Sequence, residues 1–232
     1  MKILPDIIFV CECSPQLRPG IEVCESMRMF ATDIVGELPR ECRVGTLNYS
    51  NKPEPTVWAE NTNKFDSKLL FAGPCGMPNL YHALSDLPLS DFGKRRVILV
   101  IFTYCGAADL ATSLDKNVEE FLHLRCTIAV VCNDVRLQCN MRALPIDNNA
   151  FFKARSVIEN ERLRAFILAL LKEKRSVDDP GTPAYNPWPA QKEEKPEKKD
   201  NPGKDKTDKK GDKPSDNKEI LNPLNDGDDP FA

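Results

Sequence analysis

Few side chains in this 232-residue chain are suited to chemistry. There are two histidines, His82 and His123. His82 sits about a turn into a predicted helix that follows Cys75, the spacing of a Cys–His pair for a thiol-dependent hydrolase, in which an imidazole activates the thiol. Nothing supplies a third group to orient that imidazole or an oxyanion hole, so the pair reads as a helix-surface histidine and a loop cysteine. Glu12 and Asp109 are acidic residues at predicted loop ends, an acid and base that no spacing singles out. The loop Gly73-Pro74-Cys75-Gly76 precedes a helix but lacks the Gly-Lys-Ser/Thr ending of a P-loop, and Pro74 and Pro78 remove backbone donors. Nine cysteines raise the question of zinc or disulfides. No Cys-x₂-Cys pair is present, and Cys126 and Cys132 lie in an apolar run where thiols serve as small core residues. The start Met1-Lys2 leads into a short run broken by Pro5 and Asp6, unlike a signal peptide. With an odd number of thiols, the expectation is reduced cysteines and a cytoplasmic location.

The elements that must position these residues alternate between strand and helix. Ile7 to Cys11 is a continuous apolar run, as in a strand buried on both faces. Residues 21–38 place Ile21, Cys24, Met27, Phe30, Ala31, Ile34, Val35 and Leu38 at helical spacing, and Pro39 stops the helix. Arg43 to Tyr49 and Thr56 to Ala59 read as two strands. Asn79 to Leu87 reads as a helix. Arg96 to Phe102 is the strongest strand, a β-branched and aromatic run suited to a sheet centre. A helix is expected over 109–123, a strand over Cys126 to Cys132, an irregular stretch over 133–149, and a last helix over 151–171. The alternation predicts an α/β domain over residues 1–175, with a mostly parallel central sheet and helices on both faces. The functional surface of such a sheet lies at the carboxyl ends of its strands, here the loops 11–20, 73–78 and 103–109.

Three stretches on those loops resemble the von Willebrand factor type A (vWA) domain, whose fold is Rossmann-like. Phe9-Val10-Cys11-Glu12-Cys13-Ser14-Pro15-Gln16-Leu17 is similar to the family's first strand and its Asp-x-Ser-x-Ser loop. Gly76-Met77-Pro78-Asn79-Leu80-Tyr81-His82-Ala83-Leu84 is similar to Gly-Gly-Thr-x-Leu-x-x-Ala-Leu. Val97 to Thr103, then Tyr104 and Asp109, is similar to the strand ending in Thr-Asp-Gly. The resemblance implies a divalent-cation site with oxygen ligands. Carried over residue by residue, the site is degenerate. Glu12 replaces the first Asp, Ser14 matches the first Ser, and Gln16 replaces the second. Pro78 stands where the Thr should be, and Tyr104 stands at the second Asp. The expectation is no cofactor; a salvage Mg²⁺ site would use Glu12, Ser14, Gln16 and Asp109. The resemblance implies a bacterial cytoplasmic adaptor, similar to tellurium-resistance-associated vWA proteins, that binds protein partners such as the kinase or phosphatase of a stress-response operon. Tyr104 and Met77, if exposed, would give an aromatic and sulfur-rich contact face. The expectation is therefore a non-enzymatic module, with a metal-dependent ligand-binding module as the alternative.

The rest of the composition limits other functions. The net charge of −3 gives no general attraction to nucleic acid, and no apolar stretch is long enough to cross a membrane. Residues 176–218 are rich in Pro, Lys, Asp and Glu and are expected to be a disordered linker. Residues 219–232 turn apolar and acidic again. They read as a docking peptide carried by Ile220, Leu221, Leu224 and Phe231, or as an inert terminus.

Overall fold

The structure is a computed structural model that describes residues 4–104, 106–109, 112–133, 141, 144–147 and 150–172. The expected linker and docking peptide, with Ile220, Leu221, Leu224 and Phe231, lie outside the described residues.

Among the described residues six strands form one sheet: β1 (Asp6–Glu12), β2 (Val44–Tyr49), β3 (Val57–Ala59), β4 (Val97–Thr103), β5 (Cys126–Cys132) and β6 (Phe151–Lys153), in the order β3-β2-β1-β4-β5-β6. All neighbours are parallel except β2 and β3, which are antiparallel. All seven residues of β1 and of β4 are buried, as continuous apolar runs at a sheet centre should be. Their register sets Ile8 beside Leu99 and Cys11 beside Phe102. Alternate β1 residues supply two cores. Ile7, Phe9 and Cys11 pack beneath α1 (Glu22–Glu37) and α4 (Val157–Lys172). Ile8 and Val10 pack against α2 (Leu80–Ser85) and α3 (Lys116–Arg125). The α/β expectation, with helices on both faces, is therefore met.

At the amino end of β1 the fully buried Asp6 is neutralised by two guanidinium groups, Arg43 at 2.7 Å and Arg95 at 3.0 Å. Pairing of this kind is what makes a buried carboxylate tolerable.

Two expectations need correction. The helix expected from Asp109 begins at Lys116, because the Asp115 side chain accepts from the Asn117 N–H and caps it there. The last helix does not begin at Phe151. Phe151–Lys153 is an edge strand set against Val130 to Cys132 of β5, and the helix starts at Val157. Ser156 accepts from the Glu159 N–H at 3.3 Å, so Ser156-Val157-Ile158-Glu159 has the Ser-x-x-Glu pattern of a helix start. Val157 and Ile158, expected in the buried stripe, are exposed.

Candidate functional site

The strand order reverses at β1, which has β2 on one side and β4 on the other. The crevice at the carboxyl ends of β1 and β4 is thus the topological switch point, where open parallel sheets present their sites. Glu12 and Thr103 are the last residues of those strands.

Glu12 is fully buried. Its Oε2 accepts from the Thr103 hydroxyl at 2.5 Å and from the Tyr104 N–H at 2.8 Å. Thr103 Oγ1 in turn accepts from the Gly106 N–H at 2.8 Å. The end of β1 and the loop after β4 are therefore joined through one carboxylate and one hydroxyl. The Tyr49 phenol, also fully buried, has its ionisation pushed well up, by burial first and then by the Glu12 charge. Burial also pushes the Cys13 thiol up to about 11 and the Cys11 thiol well up. Cys11, Cys13, Cys24, Cys75 and Cys126 are in no disulfide.

Backbone bonds tie the remaining loops to this centre. The Cys13 N–H donates to the Tyr49 carbonyl, the Gly76 N–H to Cys13, the Asn79 N–H to Ser50, and the Ala108 N–H to Pro78. Asn48 holds the loop between them: its amide donates to the Leu69 carbonyl at 2.8 Å and its side-chain oxygen accepts from the Phe71 N–H at 2.9 Å. Phe71 adopts a positive φ of 59° there. The expected convergence of loops 11–20, 73–78 and 103–109 on one rim is what the structure contains.

The individual side chains divide into two groups. Glu12 and Asp109 face inward or along the rim. Asp109 accepts from the Tyr81 and His82 N–H groups at 3.2 and 2.8 Å, which satisfies the start of α2. The Ser14 hydroxyl is buried with no hydrogen-bond partner among protein atoms. Pro78 contributes a carbonyl. Tyr104 is half-buried, packed on the core beneath α1 and α4 rather than standing free. Gln16 and Met77 are exposed, as is Cys75. His82 is exposed and its Nε2 lies 3.6 Å from Asp86. Among the described residues no three His, Cys, Asp or Glu side chains group as metal ligands, and no helix is long and apolar enough to cross a membrane.

Sequence reasoning missed Thr103, Tyr49, Asn48 and Gly73. A threonine closing an apolar strand beside Glu12 was the available signal for the first. The others required knowledge of which loops meet. A Cβ on Gly73 would stand 2.9 Å from Asn48 Cβ and 3.1 Å from Cys13 Sγ, so only glycine allows this approach.

No family model matches the chain, and no curated protein matches it significantly. Solved structures do. Proximal thread matrix protein 1 from the mussel byssus superposes with a TM-score of 0.54 at 13% identity, over 73% of this chain and 48% of that one. A second structure of that protein, with a zinc-occupied MIDAS motif (the family's metal-ion-dependent adhesion site), gives 0.55 at 13% identity over the same shares. A von Willebrand factor type A structure from Catenulispora acidiphila gives 0.53 at 10% identity, over 73% of this chain and 43% of that one. The chain thus spans less than half the length of each of these proteins. At such identities the likeness establishes the fold, which is of the vWA type.

Proposed function

We propose that this domain is a non-enzymatic protein-binding module that acts without a cation, through the rim formed by 13–17, 73–79 and 104–109. The observation that carries this reading is the engagement of Glu12. In the resemblance Glu12 takes the place of the first metal-ligating Asp, yet its carboxylate is buried and accepts from Thr103 and the Tyr104 N–H. Asp109, the other acid of a salvage site, caps α2. Pro78 has no side-chain oxygen, Tyr104 presents a phenol, and Gln16 is exposed. A hard cation needs several oxygens in near-octahedral order, with charge to offset its lost hydration. These residues do not fit one.

Hydrogen bonds perform the joining of loops that an ion would otherwise perform. A preformed rim with exposed Met77 beside half-buried Tyr104 is suited to protein contact, where aromatic residues and Met are enriched. The exposed His82 faces Asp86 rather than a nucleophile, which favours a binding role over a hydrolase. The partner class implied is a cytoplasmic protein of the kinase or phosphatase kind.

One observation favours the metal-dependent alternative: the buried, unpartnered Ser14 hydroxyl at the matched position of the first serine. A photo-crosslinking amino acid placed at Met77, and separately at the exposed Met29 on α1, distinguishes the readings in the native host. The cation-free reading expects protein crosslinks from position 77 that persist in EDTA and are absent from position 29. Crosslinks abolished by EDTA and restored by Mg²⁺ support the alternative, and crosslinks from position 29 alone defeat both.

A further inference from the structure

We infer that Cys13 and Cys75 form an oxidation-sensitive thiol pair, a modification site at which a disulfide closes the β1 loop onto the 69–79 loop. As β1 ends, the Cys13 side chain turns toward the second loop. Its Sγ lies 3.1 Å from where a Cβ on Gly73 would stand. The Gly76 N–H, one residue beyond Cys75, donates to the Cys13 carbonyl at 2.9 Å. Across that one hydrogen bond, ordinary backbone bond lengths keep the two Cα atoms within ~8 Å. A disulfide spans ~4.4–6.8 Å between Cα atoms, a separation that this bound admits.

The two thiols differ in access. Cys75 is the exposed one among the described thiols; Cys13 is 2% exposed, and Cys11, Cys24, Cys42, Cys126 and Cys132 are buried. Burial also disfavours the Cys13 thiolate, whereas Cys75 stands open to a dissolved oxidant. Cys75 therefore meets the oxidant and Cys13 resolves the product. With hydrogen peroxide, the Cys75 thiolate attacks one oxygen, the O–O bond breaks and hydroxide leaves, giving a Cys75 sulfenic acid. The Cys13 sulfur attacks the sulfenic sulfur, the S–O bond breaks, and the hydroxyl departs as water with the Cys13 proton. Two thiols and one peroxide become one disulfide and two waters. The bridge sits two residues from Met77. It stands on geometry that does not depend on whether the rim binds protein.

The test uses the full chain, reduced, treated with hydrogen peroxide, and digested with trypsin without reduction. Trypsin does not cut before Pro19, so Cys13 lies in the 3–28 peptide and Cys75 in the 69–94 peptide. The expected product is these two peptides linked, with fragmentation assigning the bridge to Cys13 rather than Cys11 or Cys24. Cys75→Ser abolishes the link. Cys13→Ala leaves Cys75 as a sulfenic acid that dimedone labels several-fold more than in the parent chain. Since that variant's folding is not assured, the parent chain alone also decides. Cys75 oxidised to sulfinate or labelled by dimedone while Cys13 stays alkylatable overturns the inference, as does a bridge from Cys75 to any other thiol.

Discussion

Thr103→Val removes one oxygen and changes almost nothing else in shape, so it tests whether hydrogen bonds hold the rim. The hydroxyl donates to Glu12 at 2.5 Å and accepts from the Gly106 N–H at 2.8 Å. Both neighbours and Thr103 itself are buried. A hydrogen bond to a charged group contributes about 1.5–3 kcal/mol, and a buried N–H left unpaired costs about 1–3 kcal/mol. The two losses share one atom and are not additive, so about 3 kcal/mol is expected in total. At roughly 0.1 kcal/mol of stability per residue the domain still folds. Urea unfolding followed by far-ultraviolet circular dichroism should show the midpoint falling by ~1 M or more, given a slope of roughly 2–3 kcal/mol per molar. Thr103→Ser keeps the oxygen and loses a methyl, and should fall by less than half as much. EDTA should move neither curve. Equal losses for Val and Ser, or a parent chain that EDTA destabilises, would refute the reasoning.

Two further outcomes follow from the same contacts. Cys13 and Cys24 are pushed up to about 11 and about 12, mainly by burial, and Cys11, Cys126 and Tyr49 are raised for the same first cause. These groups are neutral when protonated, so the unfolded chain ionises first. Their contribution to stability is complete below the ordinary thiol value of 9.0 and is lost as pH rises through the folded values. Cys13 alone then contributes a loss on the order of 1 kcal/mol per pH unit between pH 9 and about 11; a urea midpoint unchanged between pH 8 and 10.5 contradicts this. Gly73→Ala sets a methyl 2.9 Å from Asn48 Cβ, on the strand itself, and should cost about 1–3 kcal/mol. Gly76→Ala meets the side-chain end of exposed Asn51, which can swing away, so it should cost less; thermal unfolding of the two variants ranks them, and the reverse order would show that the contacts around Gly73 yield.

The parts of the fold legible in the sequence are those whose burial is two-sided or strictly periodic. Ile7 to Cys11 and Val97 to Phe102 could only be central strands, and the stripe from Cys24 to Val35 could only be a helix packed on them. The misread parts are where a polar side chain, rather than an apolar pattern, sets the boundary. Asp115 and Ser156 each start a helix later than the apolar residues alone suggest. Phe151 and Phe152 fit a helix stripe and an edge strand equally well, and pairing with β5 decided between them. The rim is legible from its place after strands, with Gln16 and Met77 among its exposed members. What the sequence could not convey is direction. Glu12 and Asp109 look alike as acids on loops, yet one is buried on Thr103 and the other closes the first turn of α2.

The two ends of the sheet bear on solubility. The outermost strands, Val57–Ala59 and Phe151–Lys153, are three residues long, against seven for the strands in the middle. Among the described residues, each terminal strand offers a neighbouring chain an edge three residues long, with the exposed Lys153 on one of them. Brevity and charge at an edge are how β-proteins discourage strand-to-strand stacking between molecules. The long, greasy segments that would stack most readily are placed where other strands already occupy both of their sides.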